Sequence, residues 1–197
     1  MKIKLDKIKE ITGYDVKTNF KSLGLDIAER TGVCNIETTD KYATLSFNFV
    51  EFDKSDIKEV YKNMYNTFKV TITDQDLVVI EDSYLQYFGR YAQADVFKKL
   101  TRFGSLALAN SLEKKIQYEF ILAKSSRAKL KILTTAKAGY GKGQSKKAVA
   151  DWLKNNLDID LKGDDDASDA VVLALLGILE GLDFRSEKDI KDDKSKE

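Results

Sequence analysis

The chain has 197 residues, 33 Lys/Arg against 32 Asp/Glu, one Cys and no His or Pro, a length that suits one domain burying roughly 70% of its unfolded surface. Without histidine there is no Ser-His-Asp or Cys-His catalytic site and no ordinary Cys/His zinc site, so a metal would be a hard cation held by carboxylates. A single cysteine, a start lacking an apolar signal core, and no apolar run of about 18 residues predict a cytoplasmic or other reducing compartment and no membrane partner.

Ile3, Leu5, Ile8 and Ile11 mark an amphipathic segment within residues 1–20, which read as an N-terminal extension. In "SLGLDIA", Leu23, Leu25 and Ile27 alternate with Gly24, Asp26 and Ala28, the period of a strand. "ERTG" reads as a turn and "VCNIET" as the partner strand. "YATLSFNFVEF" alternates through Leu45, Phe47 and Phe49, so the three strands predict an antiparallel meander. Ile57, Val60, Tyr61, Met64 and Phe68 then recur at helical spacing, with Ser55 as N-cap.

"DLVVIED" is a continuous apolar strand of the kind buried on both faces of a parallel sheet. The spacing predicts a helical region over 92–124, broken near Gly104, then a strand at "LKILTT". A loop "AKAGYGKGQS", a helix over 146–156, a last helix in "DDDASDAVVLALLG" and a charged, disordered tail over 185–197 complete the chain. This order predicts an α/β fold: a mixed five-stranded sheet, three antiparallel strands then parallel ones, with helices on both faces.

Charge is unevenly spread. Residues 98–147 carry a net +11 and residues 151–197 a net −7. The basic stretch suits a polyanion partner, although lysines solvating helices would look the same.

The acids are placed more tellingly. Asp26 lies within an apolar strand, Glu81 at the carboxyl end of another, and Asp169 inside the apolar run of the last helix. Asp166 and Asp169, three apart, share a helix face. Asp164 or Asp165 serves the helix start and its dipole. Singly, Asp26 or Asp169 could be a satisfied core group and Glu81 a strand-end charge. Together, on neighbouring strands and a helix beside them, four carboxylates would repel one another unless cations neutralise them. Oxygen ligands suit two Mg²⁺, with Mn²⁺ as substitute, the arrangement that drives phosphodiester displacement.

"SLGLDIAERTGVCNI", "DLVVIEDSYL" and "DDDASDAVVLALL" resemble the three acidic motifs of RuvC-type Holliday-junction resolvases. The resemblance spans about residues 20–180 and implies a ribonuclease-H-like nuclease domain over 21–184. It implies that Asp26, Glu81, Asp166 and Asp169 are catalytic metal ligands and that Lys146 stands near the scissile phosphate. It also implies DNA contacts by Tyr84, Phe88, Lys137, Lys142 and Lys147, with Tyr84 stacking on bases at the junction centre and Lys137 a loose match for a second catalytic lysine. The activity implied is metal-dependent resolution of four-way DNA junctions by a homodimer making paired nicks. Two departures stand out: Ile27 and Ala28 replace the Pro-Gly that follows the first aspartate in many relatives, and the extension and tail lie outside the pattern. A nuclease of the same fold cutting RNA–DNA hybrids or flaps, or a non-catalytic junction-binding module, would share much of this sequence.

Overall fold

The alternation along residues 22–28 belongs to a strand at the centre of a six-stranded sheet. A computed structural model of the chain describes residues 1–52, 56–82, 91–133, 144–161 and 165–184, with the side chains of 91–94 and 165–166 excepted. In chain order the elements are β1 (Lys2–Lys4), α1 (Leu5–Thr12), β2 (Lys21–Asp26), β3 (Arg30–Thr38), β4 (Tyr42–Glu51), α2 (Ile57–Thr71), β5 (Leu77–Asp82), α3 (Tyr91–Glu113), β6 (Gln117–Leu122), α4 (Ala123–Lys129), α5 (Ser145–Leu157) and α6 (Asp165–Gly177). The strand order is β1-β4-β3-β2-β5-β6. β2, β3 and β4 form the expected antiparallel meander, and β5 and β6 extend it in parallel.

Each face of the sheet carries its own core. Leu23, Leu25, Val33, Val78 and Ile80 pack against Val60, Met64 and Phe68 of α2 and Phe103 of α3. On the other face, Cys34, Ile36, Leu45, Leu77 and Val79 pack against α6, with Val149 and Leu153 of α5. Every described side chain of α6 is buried, so over residues 167–177 this helix has no solvent face. Along β2 the residues turned toward it are small, Ser22 and then Gly24, and that lets the helix axis come close.

Gly24 sets the distance. A Cβ there would stand 2.2 Å from the Ala170 carbonyl oxygen and 2.4 Å from the Ala174 nitrogen, backbone atoms that cannot swing away. Gly24→Ala is therefore expected to lower stability by about 2–3 kcal/mol, read as a shift in urea midpoint with unchanged slope. A midpoint equal to wild type would show that the helix can lift without cost.

Several expectations change. The strand beside β5 is "QYEFIL" (β6), inside the stretch expected to be helical, and α3 ends at Glu113 without a break at Gly104. "LKILTT" is not a strand over its described part: Lys131 has φ 57°, which an extended run does not allow, although Leu130 and Ile132 are buried. Helix α2 is capped by Asp56, whose carboxylate accepts from the Lys58 amide; Ser55 lies outside the described residues. The reversal after β2 is Ile27–Glu29 rather than "ERTG", with the Thr31 hydroxyl donating to the Ala28 carbonyl at 2.6 Å. Within residues 1–20, β1 pairs with β4 and α1 buries Leu5 and Ile8, giving a sixth strand where five were expected.

Candidate active site

β2 and β5 are neighbours in parallel register, with Leu25 opposite Ile80. The next residues on the two strands are Asp26 and Glu81, so sheet pairing alone brings two acids to adjacent carboxyl ends. Side chains two apart share a face, and the row Ser22, Gly24, Asp26 lies under α6. That helix runs antiparallel to β2, since Gly177 meets Ser22 while Ala170 and Ala174 meet Gly24. Its N-terminal half therefore lies over the strand ends and carries Asp169 there. One carboxylate oxygen each from Asp26, Glu81 and Asp169 lies within 4.8 Å of the others.

Three like charges this close cannot all be carried cheaply. Burial raises the Asp26 carboxyl well above the ordinary value of 3.8, and the charge and hydrogen bond of Glu81 push the same way. Glu81 is raised as well, chiefly by burial, while its hydrogen bond with Asp26 opposes the rise. Lys146, half-buried in the first turn of α5, favours the ionised form of both. Asp169 has a different partner. The Arg127 guanidinium, from α4, donates through Nη2 to Oδ1 at 2.9 Å and Oδ2 at 3.0 Å. Arg127 Nε is buried and has no hydrogen-bond partner among the described residues.

The donor set is oxygen only, largely buried and acidic, and burial makes the ionised forms of Asp26 and Glu81 costly unless a cation is beside them. Such a set fits Mg²⁺ or Mn²⁺ rather than a soft metal.

No protein-family model and no curated protein matches the sequence. Solved structures do match. Thermus thermophilus RuvC in complex with Holliday junction substrate aligns with a TM-score of 0.59 at 12% identity, over 79% of this chain and 90% of that one. A second Thermus thermophilus RuvC structure gives 0.57 at 16%, over 79% and 91%. The yeast mitochondrial Holliday junction resolvase Ydc2 gives 0.51 at 12%, over 85% and 81%. The chain has a RuvC-like fold.

On that RuvC-like fold, three of the acids singled out in the sequence meet at one place. Asp166 lies one turn before Asp169 on α6, and its side chain is outside the described set. Lys146 faces the cluster electrostatically, whereas Lys147 beside it is exposed. Tyr84, Phe88, Lys137 and Lys142 lie outside the described residues. Arg127 was missed in the sequence. It is the sole arginine between residues 103 and 184, set among lysines, and a lone planar fork in such a stretch is a legible sign of bidentate carboxylate or phosphate contact.

Proposed function

We propose that this chain is a divalent-metal-dependent endonuclease that resolves four-way DNA junctions, acting as a homodimer that makes paired nicks. The observation that carries the reading is the convergence of Asp26, Glu81 and Asp169 within 4.8 Å on a RuvC-like fold. It is supported by what the similar structures are: one is RuvC bound to a Holliday junction and another a Holliday junction resolvase. The setting would be a DNA-containing compartment, and no helix among the described residues is long and apolar enough to cross a membrane.

Asp26, Glu81 and Asp169, with Asp166, would hold two Mg²⁺ ions, for which Mn²⁺ could substitute. When bound, such ions supply hydroxide-like water at neutral pH and neutralise charge on the leaving oxygen. The chain's own residues do the rest. Burial raises the proton affinity of Asp26 and Glu81, so ion binding and carboxyl ionisation would be linked. Lys146 and Arg127 add positive charge where a scissile phosphate would sit, each as a donor to non-bridging oxygens. Lys137, Lys142 and Lys147 would track the backbone, while Tyr84 and Phe88 would stack on bases at the opened centre. For the dimer, α3 offers Val96 and Leu112, each 57% exposed, with Phe97 and Leu108 half-buried between them.

The test presents a mobile four-way junction, an RNA–DNA hybrid and a flap to the full chain, with Mg²⁺ or EDTA. Paired symmetric nicks on the junction alone, requiring Mg²⁺, are expected. Preference for hybrid or flap would reassign the substrate, and binding without metal-dependent cleavage would make the chain a junction-binding module.

A further inference from the structure

The alternation of β4 predicts Leu45, Phe47 and Phe49 as one inward row, yet only Leu45 is buried. Phe47 is 38% and Phe49 40% exposed. β1 covers β4 only from Tyr42 to Thr44, with one further backbone bond from the Leu45 amide to the Met1 carbonyl. Beyond that point, among the described residues, β4 forms the border of the sheet.

The register ties this border to the acid cluster. Asp26 pairs with Gly32 of β3, and Gly32 pairs with Phe49. The three therefore form one row on the face that carries α6, and Gly32 contributes no side chain between the others. Two strand spacings place the Phe49 backbone about 10 Å from that of Asp26. The Arg30 guanidinium lies over the Phe49 ring, 3.8 Å from its centroid, extending the flat surface with a cation.

The surroundings indicate what such a surface suits. The Phe49 amide, which faces outward from the sheet, is closed by the Asn48 side-chain oxygen at 2.9 Å. An edge blocked in this way is poorly prepared to add a strand from a protein partner. On their own face the rings are flanked by Leu45 and Glu51 along the strand and by Arg30, Gly32 and Cys34 on β3, so they form a small aromatic surface bordered by charge rather than the large contiguous apolar patch of a protein interface. Isolated aromatic faces with a stacked guanidinium are what unpaired nucleobases use, because every base has a π-face.

We propose that Phe47, Phe49 and Arg30 form a stacking shelf for unpaired bases of the strand whose phosphate lies at the Asp26 cluster. The shelf rests on the nuclease reading above and adds to it a side from which the strand approaches, across β3. It also favours substrates in which bases flanking the cut are unstacked.

The experiment uses the full chain and four-way junctions carrying 2-aminopurine at successive positions around the crossover, bound in Ca²⁺ and cut in Mg²⁺. Phe47→Ala/Phe49→Ala is expected to weaken junction binding about tenfold or more, one stacked base for each ring lost. It should also abolish the quenching of one or two specific 2-aminopurines, whereas Phe49→Tyr retains both properties. Phe49→Leu keeps apolar bulk without the flat ring, so a folding defect in the alanine variant does not blunt the test; loss of quenching with an unchanged melting temperature is expected there. Binding and quenching within twofold of wild type in the double and leucine variants would overturn the shelf. So would a sedimenting dimer that becomes monomeric in the double variant, because the rings would then be a contact between copies. If the wild type neither binds nor nicks junctions, the nuclease reading falls and takes the shelf with it. A nicking wild type with indifferent phenylalanine variants removes the shelf alone.

Discussion

Asp26→Asn is expected to reduce nicking by roughly 10³-fold or more while leaving junction affinity in Ca²⁺ within about threefold of wild type. Glu81→Gln should behave alike. The asymmetry follows from where the two acids sit. They end adjacent strands beneath α6, within 4.8 Å of Asp169, and contribute charge that only a cation can use. On the proposed reading DNA would be held elsewhere, by the basic segment and the aromatics. The same substitution should stabilise the metal-free protein, because it removes a carboxylate that burial and Glu81 both disfavour. A gain of about 1–3 kcal/mol, seen as a melting temperature raised by about 3–10 °C in EDTA, is the expected size. Metal-dependent nicking retained in both variants would sink the assignment of these acids.

The pH dependence has a definite sign. Both carboxyls are raised in the folded chain above their ordinary values of 3.8 and 4.5, so across that interval the folded state binds more protons than the unfolded one. Stability in EDTA then falls as pH rises from the ordinary carboxylate range through the raised folded values, and it is unaffected by these groups below about pH 3. Stabilisation by Mg²⁺ runs the other way, growing with pH as the carboxyls ionise. Urea titrations across pH, with and without Mg²⁺, read both slopes. Asp26→Asn should flatten the EDTA slope and abolish most of the Mg²⁺ effect.

The acids were legible in the sequence because each broke a local rule: a charge inside an apolar strand, at the end of another, and inside an apolar helix. Nothing in the hydrophobic period explains Asp26 or Asp169; the sequence groups them with Glu81, and the strand order shows how the three meet. β6 was not legible for the opposite reason. Its burial runs exposed over Gln117, Tyr118 and Glu119 before Ile121 is buried, and as a border strand continuing from a long helix it shows no clean period of two. "LKILTT" misled because Leu130 and Ile132 are buried two apart, imitating a strand around a residue with positive φ. Arg127 stands out in the sequence as one arginine among lysines, but its partner could not be named without knowing that α4 follows β6 and turns it toward α6. The exposure of Phe47 and Phe49 was not legible, because alternation reports side-chain direction, not whether a helix covers that end of the sheet.

Arg127→Ala is expected to cost about 3–5 kcal/mol in EDTA, which for a chain of this length lowers the melting temperature by roughly 6–20 °C. The pair it breaks is buried, the two side chains being 15% and 6% exposed, and the guanidinium meets both Asp169 oxygens. Removing it leaves the Asp169 carboxylate without its bidentate partner, beside two carboxyls whose ionised forms burial already disfavours. The loss is therefore one of uncompensated charge rather than of packing, and two comparisons separate these causes. Adding Asp169→Asn to Arg127→Ala removes the orphaned charge, so the double variant should be more stable than Arg127→Ala alone, a coupling of about 2 kcal/mol or more. Mg²⁺ should also narrow the gap to wild type, because a bound cation supplies Asp169 with the charge that Arg127 no longer does. A packing defect would show neither response. An Arg127→Ala variant within about 1 kcal/mol of wild type in EDTA would mean that the pair contributes nothing to holding α6 over the strand ends, and that Asp169 is kept in place by the burial of its helix alone.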